Sequence, residues 1–214
     1  MLTLIYGGTF DPIHIGHVAL ADQAAKLLHA EVRLLPAADP PHRAQPGASA
    51  EDRAKMVALA IEGHPGLRLD CLELERQGPS YMADTLMLIR QNMGPSMPLA
   101  LLLGSDAFHG LASWHRWNDL FLLAHLVVAP REGWPLDDLP EALANACEGR
   151  WLEHPETVGQ LPAGGVYQLP LRALQPESAS ELRRRLTEGG DWRSMVAPAV
   201  ADYIQRHGLY RPAR

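Results

Sequence analysis

The opening stretch of the chain constrains its fold more than any other feature. Leu2–Tyr6 is a short β-branched and apolar run that stops at Gly7-Gly8, so it reads as a buried strand. From Gly16 to Ala30 the spacing turns helical, with Ala21, Ala24, Ala25 and Leu28 on one face and Asp22, Lys26 and His29 away from it. Glu31–Pro36 reads as a second strand, ended by proline. Strand, helix and strand in that order make a βαβ unit, which implies parallel pairing and a right-handed crossover.

The rest of the chain repeats the alternation. Helical spacing is expected over Glu51–Ile61, Ser80–Asn92, Ser178–Leu186 and Ala199–His207, and strands over Leu67–Leu74, Leu99–Leu103, Leu126–Ala129 and Val166–Leu169. Ala37–Ala48 reads as an ordered loop, and the proline- and glycine-rich Arg131–Gly165 stays unassigned. The expectation is an α/β fold: a doubly wound, mostly parallel Rossmann-like sheet with helices on both faces and a small helical C-terminal segment. At 214 residues, one domain is expected, with 1–175 as its core and 176–214 as the helical segment. A hydrophobic content of 47% without low-complexity tracts excludes disorder. The longest apolar runs, Leu99–Leu103 and Leu120–Pro130, are too short for a membrane span, and Met1–Tyr6 lacks the basic start of a signal peptide. Two isolated cysteines, Cys71 and Cys147, suit a reducing cytoplasm. A net charge of −6 argues against broad nucleic-acid contact, but leaves room for a small anionic substrate held by a few local cations.

Ligands of such sheets bind at the carboxyl ends of the strands, beside the first βα turn. Here that turn runs Gly7-Gly8-Thr9-Phe10-Asp11-Pro12-Ile13-His14-Ile15-Gly16-His17. Gly7 and Gly8 let the backbone approach a ligand, and Gly16 lets one come close to the helix end. His14 and His17 flank a helix N-terminus that offers free N–H groups and a partial positive charge. Together they form an anion site suited to a polyphosphate. Histidines three apart also occur in metal sites, but no third Cys, Asp or Glu ligand lies nearby at helical spacing, so no dedicated metal site is expected.

The string Gly7–His17 resembles the signature of the nucleotidyltransferase superfamily, with the H-x-G-H tetrad as His14–His17. Its longer Gly-Gly-Thr-Phe-Asp-Pro form is similar to the bacterial nicotinate-nucleotide adenylyltransferases. Class I aminoacyl-tRNA synthetases share the tetrad but are far longer and need a second, lysine-rich signature. Four further segments resemble the adenylyltransferases in the expected order. Pro40-Pro41-His42-Arg43 matches a loop after the second strand; Ser80-Tyr81-Met82 with Asp84-Thr85-Leu86 matches S-Y-T-x-x-T-L, with Met82 in place of threonine. Gly104-Ser105-Asp106 matches G-x-D, and Ser178-Ala179-Ser180-Glu181-Leu182-Arg183 matches I-S-S-T-x-I-R, with Glu177 in place of the apolar residue and Ser180 in place of threonine. Arg131-Glu132-Gly133 is a weaker match to R-P-G, and no role is carried over.

The resemblance implies transfer of AMP from ATP to nicotinate mononucleotide, giving deamido-NAD (nicotinate adenine dinucleotide) and pyrophosphate. It implies catalytic roles for His14, His17 and Arg43, and ATP contacts for Gly7, Gly8, Thr9, Phe10, Gly16, Ser178, Ser180 and Arg183. The acceptor would meet His42, Tyr81, Met82 and Asp106, with Trp114 stacked on the pyridine ring and Trp117 in the core. Mg²⁺ is expected to travel with ATP, bridging its phosphates. No nucleic acid or membrane partner is expected, and the oligomer could be a monomer or a homodimer. Three other readings stand beside this one: the same chemistry on nicotinamide mononucleotide or phosphopantetheine, a non-catalytic nucleotide-binding module, or metal-dependent hydrolysis.

Overall fold

In the computed structural model, residues 1–38, 46–76, 78–171 and 178–210 are described. Their six strands form one sheet, parallel throughout: β1 (Leu2–Gly8), β2 (Ala30–Pro36), β3 (Leu67–Leu69), β4 (Leu99–Gly104), β5 (His125–Ala129) and β6 (Val166–Gln168). The order across the sheet is β3-β2-β1-β4-β5-β6, the doubly wound arrangement.

The strands bury both faces, so their apolar residues divide by period two. Leu4, Tyr6, Val32, Leu34, Ala100 and Leu102 belong to one core. Ile5, Leu35, Leu99, Leu101, Leu103 and Val128 belong to the other. The first core is covered by α1 (Ile15–Leu27), α2 (Ala50–Ala60), α8 (Ala179–Glu188) and α9 (Pro198–His207). The second is covered by α3 (Met82–Met93), α4 (Ser105–His109), α5 (Leu120–Leu123) and α6 (Glu141–Cys147). A further short helix, α7 (Pro155–Val158), contributes Val158 to the first core. The C-terminal helices therefore complete the core that α1 and α2 begin. Among the described residues no helix is long and apolar enough to cross a membrane.

Two expectations need correction. The strand read over Leu67–Leu74 stops at Leu69, because Asp70 Oδ1 accepts the Leu72 N–H at 3.0 Å and Leu74 N–H bonds Cys71 O at 2.9 Å. That local turn consumes the backbone groups a ladder would need. The first helix ends at Leu27 rather than Ala30; His29 takes φ +48°, and Ala30 already pairs with Leu2. The strand read over Leu126–Ala129 is found as β5, preceded in the same apolar run by α5.

Candidate active site

Neighbours of β1 lie on opposite sides, β2 after one crossover and β4 after another, which opens a crevice at the carboxyl ends of β1 and β4. A cavity of about 960 Å³ occupies that crevice, lined by residues of the first turn, the start of α3, the end of β4 and α8. Its size suits a ligand with several groups.

His14 caps α1 from an extended backbone, and its ring lies over that of His17, with centroids 3.6 Å apart and planes inclined by 30°. The His14 backbone N–H donates to His17 Nδ1 at 3.3 Å, which leaves a neutral His17 with its proton on Nε2. His17 lines the cavity, whereas His14 is buried and its Nδ1 has no partner. Burial, reinforced by the charge of Arg131, pushes the His14 pKa down to about 4. His14 is therefore neutral at pH 7, and not the standing cation that its place in the turn suggested. A buried ring nitrogen without a partner carries a cost that a proton-sharing ligand oxygen relieves.

The turn is shaped by close approach. A Cβ on Gly7 would lie 2.5 Å from Met82 Cε, and one on Gly8 would lie 3.1 Å from the Phe10 ring. Phe10 holds φ +48° and packs edge-on to Tyr6 and His17, so it supports the histidine while bordering the cavity. Thr9 also borders the cavity, and its carbonyl accepts from Arg53 Nη1 at 2.7 Å. Gly16 lies in the first turn of α1, between the histidines.

Around the other walls, Tyr81 caps α3 and its ring packs tilted by 32° against His115 with centroids 4.3 Å apart, while Met82 begins the helix. Trp114 faces the cavity, and Trp117 turns to Phe121. Asp106 borders the cavity and pairs with Arg131 Nε at 3.0 Å. Arg183 also borders it, donating from Nη2 to Ser180 Oγ at 3.3 Å and from Nη1 to the Asp11 carbonyl. Ser178 Oγ accepts the Glu181 N–H at 3.1 Å, the N-cap bond of α8. Ser178 and Ser180 thus stand behind the cavity wall made by Ala179 and Arg183. His42, Arg43 and Glu177 lie outside the described residues.

The sequence reading missed three residues. Arg131 follows the end of β5 and supplies a cation to the cavity; its R-E-G string was the available signal. Arg53 is 1% exposed and donates to Thr9 O, Ala48 O and Ala38 O, tying the first turn to neighbouring backbone. Its signal was an arginine on the face of α2 that also carries Met56, Val57 and Ala60. Glu73, also buried, borders the cavity and accepts the Thr85 hydroxyl at 2.7 Å, with burial pushing its pKa up.

Among the described residues no group of three or more His, Cys, Asp or Glu side chains gathers into a metal site. Three carboxylates border the cavity and each is engaged: Asp106 with Arg131, Glu73 with the Thr85 hydroxyl, and Asp11 with Tyr210 and the Gly47 and Ala48 N–H groups.

The cytidylyltransferase-like family model matches residues 5–185. A protein of Stenotrophomonas maltophilia (strain K279a) named "Probable nicotinate-nucleotide adenylyltransferase" is 50% identical over 216 residues, covering 98% of this chain and 97% of its own. One of the same name from Xylella fastidiosa (strain M12) is 43% identical over 214 residues, covering 98% of this chain and 96% of its own. Among solved structures, the Plasmodium falciparum nicotinic acid mononucleotide adenylyltransferase complexed with NaAD is similar with a TM-score of 0.72. Its identity is 20%, over 97% of this chain and 96% of that one, so this likeness speaks for the fold.

Proposed function

Because the chain belongs to the cytidylyltransferase-like family, with relatives named for nicotinate-nucleotide adenylyl transfer at up to 50% identity, we propose that it performs that reaction. It transfers AMP from ATP to nicotinate mononucleotide, releasing pyrophosphate and nicotinate adenine dinucleotide. The observation that carries this reading is a single cavity bordered both by His17 and Arg183 and by Asp106, Tyr81 and Trp114. The first pair suits a polyphosphate, and the second group suits a ribose and an aromatic ring.

The step is an in-line displacement at the α-phosphorus of ATP. An oxygen of the acceptor phosphate forms the new P–O bond, and the bond to the β-phosphate bridging oxygen breaks, sending its electron pair to pyrophosphate. The acceptor is already ionised, so no side-chain nucleophile or general base is needed. Positioning and charge stabilisation do the work. His17 donates from Nε2 to a phosphate oxygen, and the neutral His14 ring donates an N–H to a phosphate oxygen from its Nδ1 tautomer. Arg183 holds the leaving pyrophosphate, behind the α8 terminus that Ser178 and Ser180 organise. For His42 and Arg43, the family resemblance implies contacts with the attacking phosphate. Gly7, Gly8, Thr9, Phe10 and Gly16 shape the ATP side; Met82, against Gly7, closes the acceptor side. Mg²⁺ enters with ATP as part of the substrate and neutralises phosphate charge. The two unpaired cysteines suit a cytoplasmic setting.

Turnover of nicotinate and nicotinamide mononucleotides with MgATP tests the acceptor. Nicotinate adenine dinucleotide and pyrophosphate are expected in equal amounts, with the acid preferred. A clear preference for the amide would overturn the assignment.

A further inference from the structure

Asp11 lies in the first turn, 6% exposed, and four donors from three distant parts of the chain converge on it. Tyr210 Oη donates to Oδ1 at 2.7 Å, as does the Ala48 N–H at 3.2 Å. The Gly47 N–H donates to Oδ2 at 2.8 Å. Arg183 donates from Nη1 to the Asp11 carbonyl, and the same nitrogen stands 3.7 Å from Oδ2. Tyr210 is held firmly. Its ring lies where a Cβ on Gly47 would meet it at 3.0 Å, and its backbone takes φ +61°, which a side chain other than glycine adopts only when its surroundings fix it. Burial and the bond to Asp11 both push the phenol pKa up, so it stays a protonated donor.

We propose that Tyr210 is a positioning residue of the ATP site, acting through Asp11 on the guanidinium of Arg183. The family model ends at residue 185, so Tyr210 lies outside the matched region and outside every motif read from the sequence. Arg183 borders the cavity, and its long side chain gains aim from the Asp11 carbonyl. A carboxylate bonded only to Arg183 would draw the guanidinium into a tight ion pair and cancel its charge. The Tyr210 hydroxyl and two backbone N–H groups occupy Asp11 instead, leaving the cation aimed at the cavity and its charge available to phosphate. Removing the hydroxyl leaves Oδ1 with the Ala48 N–H alone, and the Arg183 guanidinium, whose Nη1 already stands 3.7 Å from Oδ2, is the charged donor able to close on the carboxylate.

The inference rests on the assignment of ATP to this cavity. Its test reads equilibrium binding of α,β-methylene-ATP rather than turnover, so a failure of the nicotinate assignment leaves the readout standing. Tyr210→Phe keeps the ring on Gly47 and is expected to weaken analogue binding about tenfold, the lower end of what one hydrogen bond to a charged group contributes. Arg183→Ala weakens binding by itself, and Tyr210→Phe is expected to add nothing in that background. A purely structural tyrosine would give the same factor in both backgrounds. Thermal melts of each variant establish that the comparison is between folded chains. Unchanged binding in Tyr210→Phe, or independent and additive losses in the double variant, overturns the proposal.

Discussion

His14 and His17 occupy equivalent places in the motif, and burial gives them different chemistry. His17 borders the cavity with Nε2 as its donor, so His17→Ala is expected to lower turnover by about 10²-fold or more, the scale of losing one electrostatic contact to a transition state. An unchanged rate would remove it from the proposed mechanism. His14 makes a different prediction. Its pKa is lowered from 6.5 to about 4 in the folded chain, so between those values the unfolded chain binds the extra proton. The stability that the neutral ring confers is full above pH 6.5 and is lost as the pH falls towards 4. Relative to His14→Asn, which cannot titrate and can still cap α1, the native chain should lose roughly 2 kcal/mol more between about pH 7 and 4.5. Denaturant midpoints measured across that range check it; parallel slopes would mean that His14 does not carry the effect. The motif made both histidines legible as a pair at a helix entrance. It could not show which one the cavity reaches, because protonation depends on the depth of the ring and on Arg131, an arginine from a strand end that shares no local pattern with it. Arg53 was hidden for a related reason: two of its three carbonyl partners, Ala38 O and Thr9 O, lie away in sequence.

At the scale of elements, strong periodicity was sufficient. Both strands of the first βα crossover, α2, α3 and α9 follow from apolar spacing, since each buries one stripe or two faces. Short pieces did not follow. In β3 three residues suffice because β2 supplies the ladder, and the Asp70 turn, a side-chain bond to nearby backbone, ends the strand inside an apparently alternating run. Helices α6 and α7 lie in a stretch rich in glycine and proline, where the burial of Leu143 and Cys147 in α6 and of Val158 in α7 gives each a side. The start of α8 carries a prediction that separates capping from ligand binding. Ser178 Oγ accepts the Glu181 N–H, so Ser178→Ala should destabilise the chain by about 1 kcal/mol. Ser178→Asp keeps the cap and so keeps the melting temperature, but puts a negative charge at a helix terminus proposed to face pyrophosphate. Its KM for ATP should rise while its melt stays native. A rise in neither quantity would separate this terminus from the ATP site.

For the whole molecule, the net charge of −6 was the wrong scale on which to judge an anionic substrate. Screening confines surface charge to about 8–10 Å, whereas Arg131, Arg183 and the α1 terminus meet at one cavity where water is partly excluded. Assembly of that cavity draws on parts of the chain far apart in sequence, and this bears on how the molecule unfolds. Leu182, Val200, Ala201 and Ile204 are buried in the same core as Ala21, Ala24, Met56 and Val57. Among the described residues, 178–210 thus share an apolar core with the rest, so parting them from it would expose that core. Opening α9 would expose its side of that core and release the Tyr210 bond to Asp11 in one event. Calorimetry of the full chain should show one transition whose calorimetric and van't Hoff enthalpies agree, near ~150 kcal/mol for a chain of this length. ATP should raise its midpoint as a single curve, because ligand bound to residues from both ends stabilises the folded state as a whole. Two resolved transitions, with ATP shifting only one, would instead make the C-terminal segment an independent unit and would place the phosphate site on the other side of that boundary.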